Sequence, residues 1–355
     1  MAHRGRSRRG RGARPTLIVR VAVTGARGRL GRALLDALAR APGRVEVFAW
    51  SRPDYDLDLP ESAERCIARD RPDIVVHAAA WTDVDGCARE PARAMARNAQ
   101  AVARIARACA ARGIDLILIS TNEVFDGRRT DSRGYGVVDP PNPINPYGAS
   151  KLAGEVWALR AYGIPTPWRS ARDGAASEPP GAPAPGSSTS LPLEPSGSPT
   201  RARLAIVRTA WLFGPPGNDF PSKIAAAAKA AAAEGRPLRV VGDEVGSPTY
   251  TVDLAAAIVR LMDLKLGRLA PSPGGPIWHL VNAGRASRAE WARATLRLLG
   301  LETPIVEIPA DEWIRASTPP RWAVLDPAAV PPGVAMRPWE AALAEYLEGA
   351  SPEAG

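Results

Sequence analysis

The chain reads as an α/β protein built on a doubly wound parallel sheet, with a smaller α/β lobe attached. Three observations predict this. Short β-branched runs alternate with helical stretches through the first 160 residues, and a glycine-rich turn joins the first run to the first helix. The third is size: 355 residues, 45% of them hydrophobic, suffice to bury the core of one large α/β unit or of a domain pair without help from disulfides.

The elements follow in order. LIVRVAVTG is a strand, RGRLGRALLDALAR a helix ending before Pro42-Gly43, and VEVFAW a second strand, which together open a βαβ unit. SAERCIARD continues as helix, DIVVHAAA as strand, PARAMARNAQAVARIARACAARG as one long helix, and IDLILIS as strand. NPYGASKLAGEVWALRAYG is the next helix. Residues 165–200 then hold nine Pro, four Gly and seven Ser, the composition of a flexible surface insertion, before RLAIVRTAWLFG resumes as strand. SKIAAAAKAAAAEG is helical, PLRVV a short strand, TVDLAAAIVRLMDLKLG a helix, IWHLVNAG a strand, and SRAEWARATLRLLG and RPWEAALAEYLEG are helices. The expected organisation is a basic flexible tail over 1–16, a nucleotide-binding core over 17–164, the insertion over 165–200, the rest of the core interleaved with the lobe over 201–345, and a flexible end over 346–355.

Composition excludes several functions. The formal charge is +9, but Arg4, Arg6, Arg8, Arg9, Arg11 and Arg14 supply six of those charges, which leaves the body near +3. Such a tail meets phosphates without sequence preference, and no interleaved aromatics or recognition helix accompany it, so no specific nucleic-acid partner is expected. No apolar run reaches the roughly 18 residues of a membrane span and the first residues lack the apolar stretch of a secretory signal, so the expected compartment is the cytoplasm, without membrane insertion. Cys66, Cys87 and Cys109 form no CxxC pair, and three scattered histidines build no metal cluster, so no metal ligand is assigned.

Two constellations carry chemistry. Gly25-Ala26-Arg27-Gly28-Arg29-Leu30-Gly31 stands between a strand and a helix. There a tight turn brings backbone N–H groups and the helix amino end against a pyrophosphate, with Gly25, Gly28, Arg29, Leu30 and Gly31 as the contacts. This makes the core a Rossmann-type nucleotide site. The second strand ends in Ser51 and Arg52 where an acid would read the ribose hydroxyls of NAD, so a 2′-phosphate is the better fit and NADPH is favoured over NADH. Asp58 and Leu59 are placed at the adenine edge, and Ala79, Ala80 and Thr82 along the cofactor. The other constellation is Thr121, Tyr147 and Lys151. Tyr147 and Lys151 share one face of a helix, where an ammonium favours the phenolate and makes the phenol a usable acid, and Thr121 ends a strand where its hydroxyl can hold a substrate oxygen. The chain has only four lysines, so a lysine at this spacing is informative.

These motifs, with HAAAWTDVDGCAREP, STNEVFDG, NPYGASKLAGE, RTAWLFG followed by GNDF, and GSPTYTVDLA, resemble those of the extended short-chain dehydrogenases/reductases, and within them most closely the dTDP-4-dehydrorhamnose reductase family, over roughly residues 18–345. The resemblance implies NADPH- or NADH-dependent reduction of the C4 ketone of a dTDP-linked 6-deoxy sugar to dTDP-L-rhamnose, and a homodimer whose contact can include Mg²⁺. It also implies catalytic roles for Thr121, Tyr147 and Lys151, which would bind cofactor as well in the case of Tyr147 and Lys151, and a sugar contact for Trp211. The sequence departs from the family at Asn122-Glu123, where Asp-Tyr is usual. A second departure is PPRWAVLD, with Arg321 and Asp326, where the family has small residues in place of the Trp. Asn122, Glu123, Trp211 and Arg321 are the candidate substrate contacts. Two alternatives stay open, an epimerase or dehydratase of nucleotide sugars, and a non-catalytic nucleotide-binding subunit like the regulatory partner of methionine adenosyltransferase.

Overall fold

The computed structural model describes residues 18–168, 202–270, 275–327, 330 and 333–349. Its centre is a six-stranded, wholly parallel sheet of β1 (Ile18–Thr24), β2 (Arg44–Trp50), β3 (Ile74–His77), β4 (Asp115–Thr121), β5 (Leu204–Thr209) and, after β6 (Leu238–Val241) in the lobe, β7 (Ile277–His279). The spatial order is β7-β5-β4-β3-β1-β2. The chain reverses its direction of winding after β2, so the crevice at the carboxyl ends of β1 and β3 is the place where such sheets bind ligands. Register sets those ends level: Thr24 pairs with both Trp50 and His77.

Side-chain alternation along the strands divides the core in two. Val19, Val21 and Val23 point to one face and pack with Leu30, Leu34 and Leu38 of α1 (Arg29–Ala39) and with Leu254 and Ile258 of α8 (Thr251–Arg260). Leu30, Leu34 and Leu38 recur every four residues, the spacing of a single buried helix stripe. On the other face Ala22, Val75, Leu116 and Ile206 meet α2 (Ser62–Asp70), α5 (Ala101–Ala110) and α6 (Pro146–Ala161), with Cys66, Cys109 and Leu159 among the residues in contact.

The lobe joins α7 (Phe220–Ala233), α9 (Arg288–Leu298) and α10 (Trp339–Gly349) to a small parallel pair, β6 with β8 (Ile305–Ile308). Another short strand, β9 (Met336–Pro338), pairs with Asn282–Ala283. The Ala-rich face of α7 lets it lie close to α9, and Ala228 and Ala231 are fully buried between them. A second, aromatic cluster of Phe213, Tyr250, Trp291, Trp339 and Tyr346 holds α10 in place.

Several expectations are corrected here. The helix expected to run to Gly267 stops at Arg260, and Met262–Asp263 pairs antiparallel with Arg268–Leu269; the Asp263 carboxylate accepts the N–H groups of Lys265 and Leu266 and turns the chain. The long helix after Pro91 is α4 (Pro91–Met95), a wide π turn over Ala96–Gln100, and then α5. β8 had no alternating pattern to announce it, because IVEI is a short run between Pro304 and Pro309. The end expected to be flexible from 346 instead continues α10 to Gly349, with Tyr346 and Leu347 buried, and residues 350–355 lie outside the described residues. The basic tail of residues 1–16 lies outside the described residues. Of the 165–200 insertion only 165–168 lies within them. Among the described residues no helix is long and apolar enough to cross a membrane.

One buried charge pair ties the carboxyl-terminal half of the sheet together. Ser120 of β4 is level with Arg208 of β5, and Arg208 with His279 of β7. Glu155 of α6 reaches this row: its carboxylate accepts Arg208 at 2.7 Å and the Ser120 hydroxyl at 2.5 Å, and the Glu155 and Arg208 side chains are both fully buried. The Arg208 guanidinium also lies 5.1 Å from the ring centres of Phe125 and Trp168. Removing one partner leaves the other charge uncompensated in the core. Arg208→Ala is therefore expected to cost about 3–5 kcal/mol of unfolding free energy, read from urea denaturation with the m-value unchanged.

Candidate active site

The cofactor turn is shaped by close backbone contact. Gly25 has φ +66°, and a Cβ there would lie 2.9 Å from the backbone of Ala79; a Cβ on Gly31 would lie 2.2 Å from the Gly25 carbonyl oxygen. Only glycine fits these positions. Gly28 is the N-cap of α1 and has no side chain with which to satisfy the N–H groups of the first turn, so these donors are left pointing at the crevice. Ala79 is fixed by its N–H bond to the Thr24 hydroxyl at 3.0 Å.

Other expected cofactor contacts sort differently. Leu30 is buried in the core, while Ser51 and the exposed Arg52 stand at the end of β2. Leu59 and Thr82 are exposed and Ala80 half-buried along the same crevice. The Asp58 carboxylate is held by Arg97 at 2.7 Å, an interaction that keeps it below the usual carboxylate range. The Arg29 guanidinium is engaged within the protein. It donates to the carbonyls of Leu212, Gly217 and Asn218 at 3.3, 2.9 and 2.9 Å, clamping the loop after β5 onto the start of α1. Asp219 closes that loop, accepting the Gly214 N–H at 2.8 Å and capping α7 through the Ser222 N–H.

Thr121, Tyr147 and Lys151 come together at the carboxyl end of β4. Asn145 caps α6 by accepting the Gly148 N–H at 2.8 Å, and Pro146 stands at the first helical position, so the helix begins just where it delivers Tyr147 to the crevice. The Thr121 hydroxyl favours the Tyr147 phenolate. Thr121 in turn accepts the Glu123 N–H and donates to Asn122 Oδ1, both at 3.2 Å. Burial raises the phenol's pKa and the Glu123 charge adds to this, so the free protein keeps Tyr147 protonated. The Lys151 ammonium is not directed at the phenol; it donates to the Ile119 carbonyl at 2.7 Å. Burial lowers its pKa to about 8, with the Glu155 carboxylate pulling the other way.

On the substrate side, Asn122 donates to the Ala323 carbonyl at 3.2 Å, and Glu123 accepts Asn145 Nδ2 at 2.7 Å. Burial raises the Glu123 carboxyl, against Asn145 and the guanidiniums of Arg288 and Arg315. Trp211 stacks on Trp291 with ring centres 5.6 Å apart and has the Arg288 guanidinium 3.6 Å above its ring. Its backbone is left-handed, φ +42°, and a Cβ on Gly246 would lie 2.4 Å from its indole. A bulky side chain held in that region of backbone space is strained, as is common where a side chain must be aimed. Arg321 is the substrate contact that the structure does not bring in: its guanidinium is paired with Asp243 and Asp311 at the surface.

This arrangement of a glycine-lined turn, a Thr–Tyr–Lys set and an aromatic lobe has known counterparts. Residues 19–165 and 191–351 match the RmlD substrate binding domain. The chain belongs to this family. It is 34% identical over 308 residues to a dTDP-4-dehydrorhamnose reductase of Mycolicibacterium smegmatis, covering 86% of this chain and 77% of that one. It is 31% identical to the spore coat polysaccharide biosynthesis protein SpsK of Bacillus subtilis, over 93% of this chain and 98% of that one. Among solved structures, a dTDP-4-dehydrorhamnose reductase of Clostridium acetobutylicum superposes with TM-score 0.74 at 26% identity, covering 94% and 99% of the two chains. The Bacillus anthracis dTDP-4-dehydrorhamnose reductase in complex with NADP superposes with TM-score 0.72 at 26% identity, covering 94% and 100%.

Thr121, Tyr147 and Lys151 rest on residues that motif reading passed over. Asn98, in the π turn, accepts the Trp81 N–H at 2.8 Å and donates to the Trp81 carbonyl and to Ser150 Oγ at 3.0 and 3.1 Å, locking the loop after β3 to α6. Glu155 continues the four-residue spacing of Tyr147 and Lys151, a signal that was present in the sequence. Arg208, a charge inside the apolar run LAIVRTA, was another. Arg288 and Arg315 had none. Among the described residues no group of three or more His, Cys, Asp or Glu side chains could hold a metal ion, so the Mg²⁺ implied by the resemblance has no ligand set among them.

Two histidines are buried as neutral rings. Burial brings both His77 and His279 down to about 3, with Lys151 acting in the same direction on His77 and Arg208 on His279. The unfolded chain binds these protons near pH 6.5 and the folded chain does not, so the stability they contribute is complete above pH 6.5 and is lost as pH falls toward 3. Between pH 6 and 5 each should remove about 1.4 kcal/mol per pH unit at most, and His77→Asn should flatten the slope by about half their combined share in urea denaturation at stepped pH.

Proposed function

We propose that the protein reduces the C4 ketone of a nucleotide-linked 4-keto-6-deoxy sugar with NADPH, dTDP-4-dehydrorhamnose being the favoured substrate and dTDP-L-rhamnose the product. The observation that carries this reading is that Thr121, Tyr147 and Lys151 gather at the carboxyl end of the same parallel sheet at which α1 begins with an uncapped amino end. The residues fit a dinucleotide: the glycine cradle admits no Cβ, the first-turn N–H groups have no side-chain cap, and Arg52 is an exposed cation at the end of β2. When bound, the cofactor supplies hydride to the carbonyl carbon.

The chain's own groups do the rest. Thr121 donates a hydrogen bond to the carbonyl oxygen and fixes its position. Tyr147, kept protonated by burial, gives its proton to that oxygen as negative charge develops. Lys151, anchored by the Ile119 carbonyl, lies one helical turn from Tyr147 on α6, where its charge would favour the phenolate that remains and where it would hold the ribose of a bound dinucleotide. Trp211 and Arg288 form the lobe-side wall against which the sugar nucleotide is held. The reading places the reaction in the cytoplasm, and a homodimer belongs to it through the family resemblance.

The test is incubation of purified protein and NADPH with dTDP- and GDP-linked 4-keto-6-deoxy sugars, following NADPH absorbance and identifying the product. Tyr147→Phe keeps the ring and should retain cofactor binding while losing roughly 10²- to 10⁴-fold in kcat. Near-wild-type turnover in that variant would overturn the assignment of the proton donor.

Cofactor choice gives a separate expectation. Arg52→Ala should weaken NADPH binding roughly 10- to 100-fold, the worth of one charge-assisted hydrogen bond, and leave NADH almost unaffected in fluorescence titrations. Equal losses for both would mean that Arg52 does not read the 2′-phosphate.

A further inference from the structure

Glu123 is a carboxylate with one oxygen engaged and one left over. Oε2 accepts Asn145 Nδ2 at 2.7 Å, whereas Oε1 has no hydrogen bond to any described residue. The group cannot easily withdraw. Its N–H is tied to Thr121 Oγ1 at 3.2 Å, and its carbonyl packs so closely on α6 that a Cβ at Gly148 would lie 2.0 Å from it. Asn145 is fixed as well, because its amide also caps α6 and donates to the Thr318 carbonyl at 3.1 Å.

What Glu123 faces is equally defined. Its charge raises the proton affinity of the Tyr147 phenol. Arg288 and Arg315 act on its own charge, yet neither forms an ion pair with it among the described residues. Arg288 instead lies over Trp211 and 3.6 Å from Glu244, and Arg315 is paired with Glu244. Glu123 is half-buried at the carboxyl end of β4, two residues from Thr121, with Oε1 open to accept a hydrogen bond. A ligand group that donates to Oε1 there compensates the carboxylate as the ligand displaces water from it.

We infer that Glu123 is a specificity-determining residue that accepts a hydrogen bond from the hydroxyl on the ring carbon next to the ketone, so that the enzyme selects 4-keto sugars that carry a C3 hydroxyl. The inference rests on the reductase reading above and adds to it the substrate feature that is read. With the carbonyl oxygen held by Thr121 and Tyr147, the adjoining C3 substituent is the nearest donor the sugar can present to a carboxylate two residues from Thr121. A sugar without that hydroxyl leaves Oε1 desolvated and unpartnered, and a site that hydrogen-bonds a hydroxyl discriminates strongly against the analogue that lacks it.

The experiment is a cycle of two substrates and three proteins. Wild type, Glu123→Gln and Glu123→Ala are assayed with NADPH on dTDP-4-dehydrorhamnose and on its 3-deoxy counterpart, with thermal unfolding confirming that each variant is folded. Wild type should prefer the hydroxylated ketone by roughly 10- to 100-fold in kcat/KM, and Glu123→Ala should lower that preference to within about threefold of unity. Glu123→Gln, which keeps an acceptor oxygen, should fall between. A purely structural Glu123 would lower kcat/KM for both ketones equally and preserve the ratio, which overturns the inference, as does a wild type that reduces both equally well. A wild type that reduces neither overturns the reductase reading and this inference with it, whereas a ratio that vanishes only in the variants supports both.

Discussion

The Glu155 carboxylate is the contact on which the site's geometry depends. Placing a carboxylate and a guanidinium out of water costs several kcal/mol per ion, and only near-complete hydrogen bonding makes that tolerable. Here the cost is met by Arg208 and Ser120 together, which come from neighbouring strands at the same level, while Glu155 comes from the helix that packs across them. Helix and sheet are thereby fixed against sliding. Tyr147 and Lys151 lie on the Glu155 face of that helix at successive four-residue steps, so the same pair that locks α6 also sets the depth at which the phenol and ammonium stand. Lys151 has its charge in a setting that opposes it, and Glu155 is the group that offsets the opposition.

The second constraint is the seam between body and lobe. Arg29 spans it, rooted in the first turn of α1 and spent on three carbonyls of the loop that leads into α7. Asp219 tightens the same loop from within. On the lobe side the Trp211 and Arg288 side chains are stacked on each other, with Gly246 leaving the room the indole needs. The glycine turn and this stack, far apart in sequence, thus share one mechanical link.

Much of this was legible in the chain. The alternating runs carried the six parallel strands, because a strand buried on both faces must be apolar along its whole length, and the glycines of the first turn announced a backbone approach that no other residue permits. Tyr147 and Lys151 were readable because their spacing is local. What was not legible depends on contacts between distant segments. Arg29 was read with the glycines beside it as part of the cofactor turn, and only the fold shows the carbonyls of Leu212, Gly217 and Asn218 around its guanidinium. Arg321 stood in a motif that approaches the site through its backbone, yet its side chain turns to Asp243 and Asp311. Arg288 and Arg315 belong to a family of 42 arginines, and no local pattern separates the few that are aimed inward from those in solvent. The break at Arg260 was hidden because the apolar spacing continues into the hairpin that follows.

The wide turn over Ala96–Gln100 carries a different kind of consequence. A π turn accommodates one residue more than the α-helical turn it replaces, and each residue of a helix advances the direction of its side chains by about 100°. Upstream of the turn, Ala94 packs against Tyr147 and Cys87; downstream, Val102, Ile105 and Cys109 pack on the sheet. Those two faces are brought into register only by the supernumerary residue, with Asn98 at the middle of the turn bonded to Trp81 in the loop after β3 and to Ser150 of α6. Point changes here can be absorbed locally, but loss of a single codon from this stretch would rotate every upstream side chain away from its neighbour. In this part of the protein chain length itself is under constraint, and evolution is free to substitute but not to delete.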